Sequence, residues 1–322
     1  MINFQMKLSE ILLVFDKTVL DYNSENGSYL YICTQDDPVD NAIIFIKKMD
    51  DNYFNNYSSF KNILIITEDS VSYRINYIQV KNIRLAMGYI LKYVENSKTK
   101  HIKSPQCTII SPASKIGKNV TIESNVYIDD EVEIGDNCTI KHGCKLLGKT
   151  IIGENSIIRE NSIIGGQGFG VEKDEFGNNY KIAQLGGVII GNNVEIGALN
   201  TVVSGTINPT LVSDFTKTDD HVHIAHNCKI GKNCIITAGV ILSGSVKIGD
   251  NVWIGPNSTV KNSLSIEDDT LIGIGAMVSK SITIKNTTFA GNPAKKFDEL
   301  TFEKKSLEYL VQNIDRIKEL LK

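Results

Sequence analysis

Stepping by six from Ile110 lands on Ile116, Ile122, Ile128, Ile134, Ile140, Leu146, Ile152, Ile158 and Ile164, large aliphatics without exception. Apolar residues make up 42% of the chain, so chance would give such a run about once in several thousand trials. A second run starts at Ile224 and passes through Ile230, Ile236, Leu242, Ile248, Ile254, Val260, Ile266, Ile272, Val278 and Ile284 to Ala290. Ile190, Ile196 and Val202 carry the pattern between the two. Neither the 3.6-residue period of a helix nor the two-residue alternation of a strand fits. A six-residue period suits a short strand plus a corner, with one aliphatic pointing inward and a glycine, Asn or Asp taking the turn. Three such sides close a coil of 18 residues, and coils stack by parallel pairing about 4.8 Å apart. The period therefore predicts a mainly β chain built on a parallel β-helix over 105–297, most of whose repeat is scaffold.

Residues 1–104 lack the hexad. Apolar segments at Ile43–Ile46 and Ile63–Ile66 read as strands and Ile83–Val94 as a helix, giving a small α/β domain with a linker over Glu95–Ser104. The carboxyl end, 298–322, reads as a helix whose Leu307, Leu310, Ile314, Ile317 and Leu321 form a seam. That seam packs either on its own subunit or on helices of neighbouring copies. The net charge of −3 argues against a nucleic-acid partner, which needs a concentrated basic surface. No apolar run is long enough to span a bilayer, and the amino terminus lacks a signal-peptide pattern, so the expected location is the cytoplasm. Cys33, Cys107, Cys138, Cys144, Cys228 and Cys234 include no CxxC pair. They read as free thiols used for packing.

The repeat breaks at 165–187, a glycine-rich insertion that reads as a binding loop on a rigid prism or as a plain connection. Three of the five histidines lie in Asp219–Asn227. Ile224 is the inward residue there, flanked by His223 and His226. A histidine poised near neutral pH is the most economical catalytic base in the chain; purely structural histidines are the plain alternative. The spacing matches no HExxH-type metal arrangement, so no metal site is expected, and a metalloenzyme of carbonic-anhydrase type on this fold is a remote third reading. One coil above His226 the 18-residue ruler places Gly244. Its N–H is either an oxyanion donor for acyl transfer or simply a corner amide.

Gly168-Phe169-Gly170, Lys181-Ile182-Ala183-Gln184, Val194-Glu195-Ile196-Gly197-Ala198 and Ile224-Ala225-His226-Asn227 carry a resemblance. The chain is similar over nearly its whole length to the UDP-3-O-acylglucosamine N-acyltransferases of lipid A synthesis and to related N-acyltransferases of nucleotide-linked amino sugars. The resemblance implies a left-handed coil, a homotrimer with sites between subunits, and an amino-terminal domain that grips the nucleotide. It makes His226 the general base, Asp219 its orienting partner and Gly244 the oxyanion donor. Phe45, Tyr53, Gly168, Phe169, Gly170, Lys181, Gln184, Asp220, His223, Asn227 and Ser245 become contacts to substrate or acyl donor. No cofactor is held permanently; the co-substrate is a thioester of coenzyme A or of acyl-carrier protein.

The chain departs from the lipid A pattern at Val203-Ser204-Gly205, where the family has Asp-Arg-Gly, at Ser263, where it has a second histidine, and at Lys48, where its uracil pocket has Asn. The ending Ala290-Gly291-Asn292-Pro293-Ala294-Lys295 is more typical of hexapeptide acetyltransferases that use coenzyme A. The first expectation is therefore a coenzyme A-dependent N-acyltransferase of surface-polysaccharide synthesis, moving an acetyl or short 3-hydroxyacyl group. The lipid A enzyme itself is the alternative, and a non-catalytic β-helix scaffold is the reading from another class.

Overall fold

A computed structural model describes residues 2–15, 18–24, 27–33, 35, 38–48, 57, 59–71, 75–98, 107–314 and 318. The chain divides into two compact units, 1–101 and 102–322.

Among its described residues the first unit holds a six-stranded sheet and the helices Leu8–Phe15 and Ile83–Lys98. Its strands are β1 (Ile2–Lys7), β2 (Val19–Asn23), β3 (Ser28–Cys33), β4 (Ala42–Ile46), β5 (Leu64–Thr67) and β6 (Asn76–Val80), in the order β1-β3-β4-β5-β6-β2. The strands from β3 to β6 run parallel, and β1 and β2 close the edges antiparallel. Central parallel strands are covered on both sides and so read as continuous apolar runs, which is why β4 and β5 were legible. The helices α1 (Leu8–Phe15) and α2 (Ile83–Lys98) share one cluster with Ile43, Leu64, Ile66 and Ile78. Ile44, Ile46 and Ile65 turn to the opposite side, against Cys33, Tyr57 and Tyr77.

The second unit is the expected parallel β-helix, the left-handed coil implied by the resemblance. Its first face has nine strands, its second eight and its third ten. Register repeats every 18 residues: Ile128 pairs with Leu146, Ile134 with Ile152 and Ile140 with Ile158. The inward aliphatics from Ile128 to Val278 form one continuous core. Cys138, Cys144, Cys228 and Cys234 fill the same prism as free thiols; burial pushes Cys144, Cys228 and Cys234 up to about 11, so they are packing groups, not nucleophiles. Asn takes the left-handed corner in coil after coil, with Asn119, Asn137, Asn155, Asn233 and Asn251 at φ between 54° and 58°.

The hexad holds less far than its spelling. Ile110 and Ile116 are 41% and 39% exposed, because among the described residues the first coil pairs with a coil on one side only. Ile284 is 53% exposed, although it is in phase. After Val278 the winding shortens, so that Ile282 pairs with Ile266 and Phe289 with Ile272, and these two take the inward places. The helix α3 spans Phe297–Gln312 and meets Thr288–Ala290 and Lys295–Lys296. It buries none of its residues: Leu307 and Leu310 are exposed, as is Ile314 just beyond it. Ile317 and Leu321 lie outside the described residues. Among the described residues no helix is long and apolar enough to cross a membrane.

Candidate active site

Both insertions into the coil fall at one corner, where the first face turns into the second. The insertion 165–187 leaves it after the inward Ile164. One coil higher, Val202 pairs with Ile224 rather than with residue 220. A second, shorter insertion, 204–209, therefore sits on the same corner, and the sequence pattern had passed over it. His226 stands on the next coil and Gly244 on the one after, since Ile224 pairs with Leu242.

The long insertion folds as an antiparallel hairpin of Gly170–Lys173 and Asn179–Ile182. Asp174 closes its turn by accepting the N–H groups of Phe176 and Asn178, bonds that hold its carboxyl below the usual carboxylate range. The two insertions then join. Gly186 N–H donates to Gly205 O at 2.7 Å and Gly205 N–H to Gly187 O at 3.0 Å. A Cβ on Gly205 would strike the Asn208 carbonyl, so the approach requires glycine. Gln184 is 2% exposed; its N–H donates to Gln167 Oε1 at 3.0 Å, while Ser204 Oγ donates to its carbonyl at 3.2 Å. Gly168 packs over the corner, where a Cβ would meet Val203, Gln184 and His226 within 3.2 Å.

His226 is half-buried against Gly244. A Cβ built on Gly244 would stand 2.6 Å from Cε1 and 2.7 Å from Nε2, so only hydrogen at this position lets the ring lie flat. At the other corners the N–H two residues past the inward place is often capped by the coil above, Lys118 by Asp136, Ala198 by Asp220, Lys232 by Asp250 and Asp250 by Asp268; at this corner the N–H groups of His226 and Asn262, one coil to either side of Gly244, carry no such cap among the described residues. Gly244 has no such cap among the described residues. Ser245 continues the corner at φ 63° and donates its N–H to His226 O at 2.8 Å. An uncapped N–H beside an imidazole can hold a developing oxyanion next to a proton carrier.

The His226 ring is held by its neighbour in sequence. Asn227 Nδ2 lies 3.2 Å from His226 Nδ1, and Asn227 is itself bound by Thr206. His223, on the outside of the first face, has its Nδ1 2.6 Å from the Thr201 hydroxyl. Burial, and secondarily the charge of His226, pull its imidazole below the usual histidine range.

Other predicted positions lie elsewhere. Asp219 is exposed at the opposite end of the same face, where it accepts the Asp220 N–H; no hydrogen bond or ion pair joins it to His226 within the chain. Asp220 caps Ala198 N–H at 2.8 Å and pairs with Arg159 at 3.1 Å, a structural role. Lys181 is on the hairpin, exposed, as is Phe169 at its base. Phe45 is partly buried against the helix-side cluster of the first unit. Tyr53 lies outside the described residues. Among those residues, no group of three or more His, Cys, Asp or Glu is placed to hold a metal ion. Sequence reasoning missed Thr201, Ser204 and Thr206; the signal that could have found the last two is the slip of the hexad between Val202 and Ile224.

Comparison with known proteins fits this geometry. The family described as bacterial transferase hexapeptide (six repeats) matches residues 113–148, 131–166 and 209–244, and the hexapeptide repeat of succinyl-transferase matches 245–278. The UDP-3-O-acylglucosamine N-acyltransferase of Thermosynechococcus vestitus is 48% identical over 82 residues, 26% of this chain and 24% of the relative. The protein of that name from Campylobacter jejuni subsp. doylei is 44% identical over 82 residues, 26% of each chain. The match thus spans about a quarter of the length of these curated relatives. Among solved structures, the UDP-N-acetylglucosamine acyltransferase of Campylobacter jejuni superposes with a TM-score of 0.54 at 27% identity, covering 59% of this chain and 72% of that one. Another UDP-N-acetylglucosamine acyltransferase gives 0.55 at 26%, covering 66% and 82%.

Proposed function

We propose, for a chain that belongs to the hexapeptide-repeat transferases, that it moves an acyl group from a phosphopantetheine thioester to the amine of a UDP-linked amino sugar. Sequence reasoning ranked a coenzyme A-dependent enzyme of surface-polysaccharide synthesis first. The names of the relatives favour the other reading, a UDP-3-O-acylglucosamine N-acyltransferase, and that reading, with acyl-carrier protein as the donor that the resemblance implies, now stands first. Its donor is a co-substrate, not a resident cofactor.

The observation that carries the proposal is the uncapped Gly244 N–H against the His226 imidazole. In this reaction the amine nitrogen attacks the thioester carbonyl carbon and a C–N bond forms. Gly244 N–H holds the oxygen as it gains charge. His226 takes the proton the amine must lose; the C–S bond then breaks, and the proton passes to the leaving sulfur. The insertion hairpin, with its exposed Phe169 and Lys181, borders the place where the donor arm and sugar would meet. Asp219, out of reach within one protomer, fits a homotrimer in which a second copy completes the site. The cytoplasm, where both donors are made, is the matching location.

The coenzyme A reading keeps one observation in its favour. Thr288–Ala290 turns back on Lys295–Lys296 through Gly291-Asn292-Pro293-Ala294, the closing segment that resembles coenzyme A-dependent acetyltransferases. Incubating the protein with UDP-3-O-acylglucosamine and either 3-hydroxyacyl-carrier protein or the matching coenzyme A thioester, and measuring free thiol, decides between them. Thiol release with carrier protein alone supports the first reading. Release with coenzyme A on other nucleotide-linked amino sugars supports the second, and no release with any pair contradicts both.

A further inference from the structure

Asn227 has its carboxamide orientation settled by a backbone donor. The Thr206 N–H can only donate, so the atom it meets at 2.7 Å is Asn227 Oδ1, and the amide nitrogen faces the other way. Both hydrogens of that nitrogen then have acceptors: the Thr206 hydroxyl oxygen at 3.0 Å and His226 Nδ1 at 3.2 Å. Thr206 passes its own hydroxyl hydrogen to Gln184 Oε1 at 2.7 Å, and Gln184 Nε2 donates to the Ile182 carbonyl at 3.1 Å. Donors and acceptors match at every link from the hairpin to the imidazole. A ring nitrogen that receives a hydrogen bond carries no hydrogen, so the neutral ring bears it on the other one.

We propose that Thr206, acting through Asn227, is a positioning residue that sets the tautomer of His226, with the hydrogen on Nε2 and the lone pair on Nδ1. The inference rests on the reaction proposed for this site and gives each ring nitrogen a part in it. Nε2 is one of the two ring atoms that a Cβ built on Gly244 would meet first, so the imidazole N–H and residue 244, with its own backbone N–H, form a pair at this edge of the ring. A thioester carbonyl oxygen gaining negative charge is the acceptor such a pair suits. The lone pair that takes the amine proton is on Nδ1, beneath the Asn227 amide. Proton transfer therefore displaces the Asn227 donor, which ties the hairpin, through Gln184 and Thr206, to that step. His223, whose imidazole feels the charge of His226, is the titratable neighbour on the first face of the same coil.

The test is the 15N spectrum of the full-length protein with labelled histidine, in the solid state, His226 being assigned by the signal lost in His226→Gln. At a pH where the ring is neutral, Nδ1 is expected unprotonated and Nε2 protonated. Asn227→Asp, whose carboxylate only accepts, is expected to reverse the two and to move the acid limb of the kcat/KM profile about one unit to higher pH. Thr206→Pro, which removes the backbone donor that orients Asn227, is expected to populate both tautomers, whereas Thr206→Val, which cuts the link to Gln184 but keeps that donor, is expected to keep one. A hydrogen on Nδ1 in the unsubstituted protein overturns the proposal, as does an Asn227→Asp spectrum without the reversal. A single unchanged tautomer in Thr206→Pro overturns the share given to Thr206. The spectra need no turnover, so they stand or fall separately from the acyl-transfer reading.

Discussion

Gly244 packs against the imidazole of His226, so close that a Cβ on residue 244 would stand 2.7 Å from Nε2. The contact joins two adjacent coils at the corner that carries both insertions. It places an N–H with no cap among the described residues beside the ring that is the chain's best proton carrier.

Gly244→Ala is accordingly expected to push the ring out of place without unfolding the prism, because the Gly244 backbone is not in the left-handed region. The backbone N–H is kept, so the loss comes from the displaced proton carrier: kcat falls by about 10²–10⁴ while the melting temperature changes little. A variant with full activity would remove this contact from the mechanism.

Thr218 holds an inward position of the third face that an aliphatic would ordinarily fill. Its hydroxyl oxygen accepts Gly197 N–H at 3.0 Å and Asn200 Nδ2 at 2.6 Å, and Asn200 is itself buried, its Oδ1 accepting Val222 N–H at 2.6 Å. Thr218→Val keeps the shape but strands buried donors, each worth about 1–3 kcal/mol. Denaturant unfolding should show a loss in that range, whereas the hexad rule alone forecasts a gain.

That residue also shows how far the sequence could be read. The period of six is legible because a closed prism leaves one inward place per side, and aliphatics from Ile128 to Ile164 fill it. At Ile284 the same spelling misleads, since a shortened corner hands the place to Ile282. His226 and Gly244 could be stacked with the 18-residue ruler alone. Thr206 could not, because its role arises where two insertions meet and neither obeys the period. The edge strands β1 and β2 of the first unit were missed because each has one pairing partner and mixed polarity, unlike β4 and β5 with their runs of Ile.

Phe215 occupies a left-handed corner at φ 62° and is 53% exposed. Equivalent corners use Asn, which tolerates that conformation where a bulky side chain is strained by about 1–2 kcal/mol. Phe215→Asn should raise the unfolding free energy of the isolated chain by about 1 kcal/mol. A loss of stability would instead mark Phe215 as buried against a second copy.

His223 gives stability a pH dependence of known sign. Burial lowers its imidazole below the histidine value of 6.5, so the unfolded chain binds the proton more readily. The stability it contributes is present above 6.5 and is lost as pH falls through the lower folded value. The melting temperature should drop more between pH 7.5 and about 5.5 in the unsubstituted protein than in His223→Gln. Parallel curves would show that His223 is as free to protonate folded as unfolded.

The central claim is that the His226 corner forms an amide from a thioester and a UDP-linked amine. Its most direct test is mass spectrometry of the nucleotide sugar after incubation of UDP-3-O-acylglucosamine with 3-hydroxyacyl-carrier protein. The account predicts an N-acylated product with the unsubstituted enzyme and a rate lower by about 10²–10⁴ with His226→Ala in an otherwise intact prism. An amide formed equally fast by His226→Ala, or no amide from any thioester and nucleotide-linked amine, would contradict it.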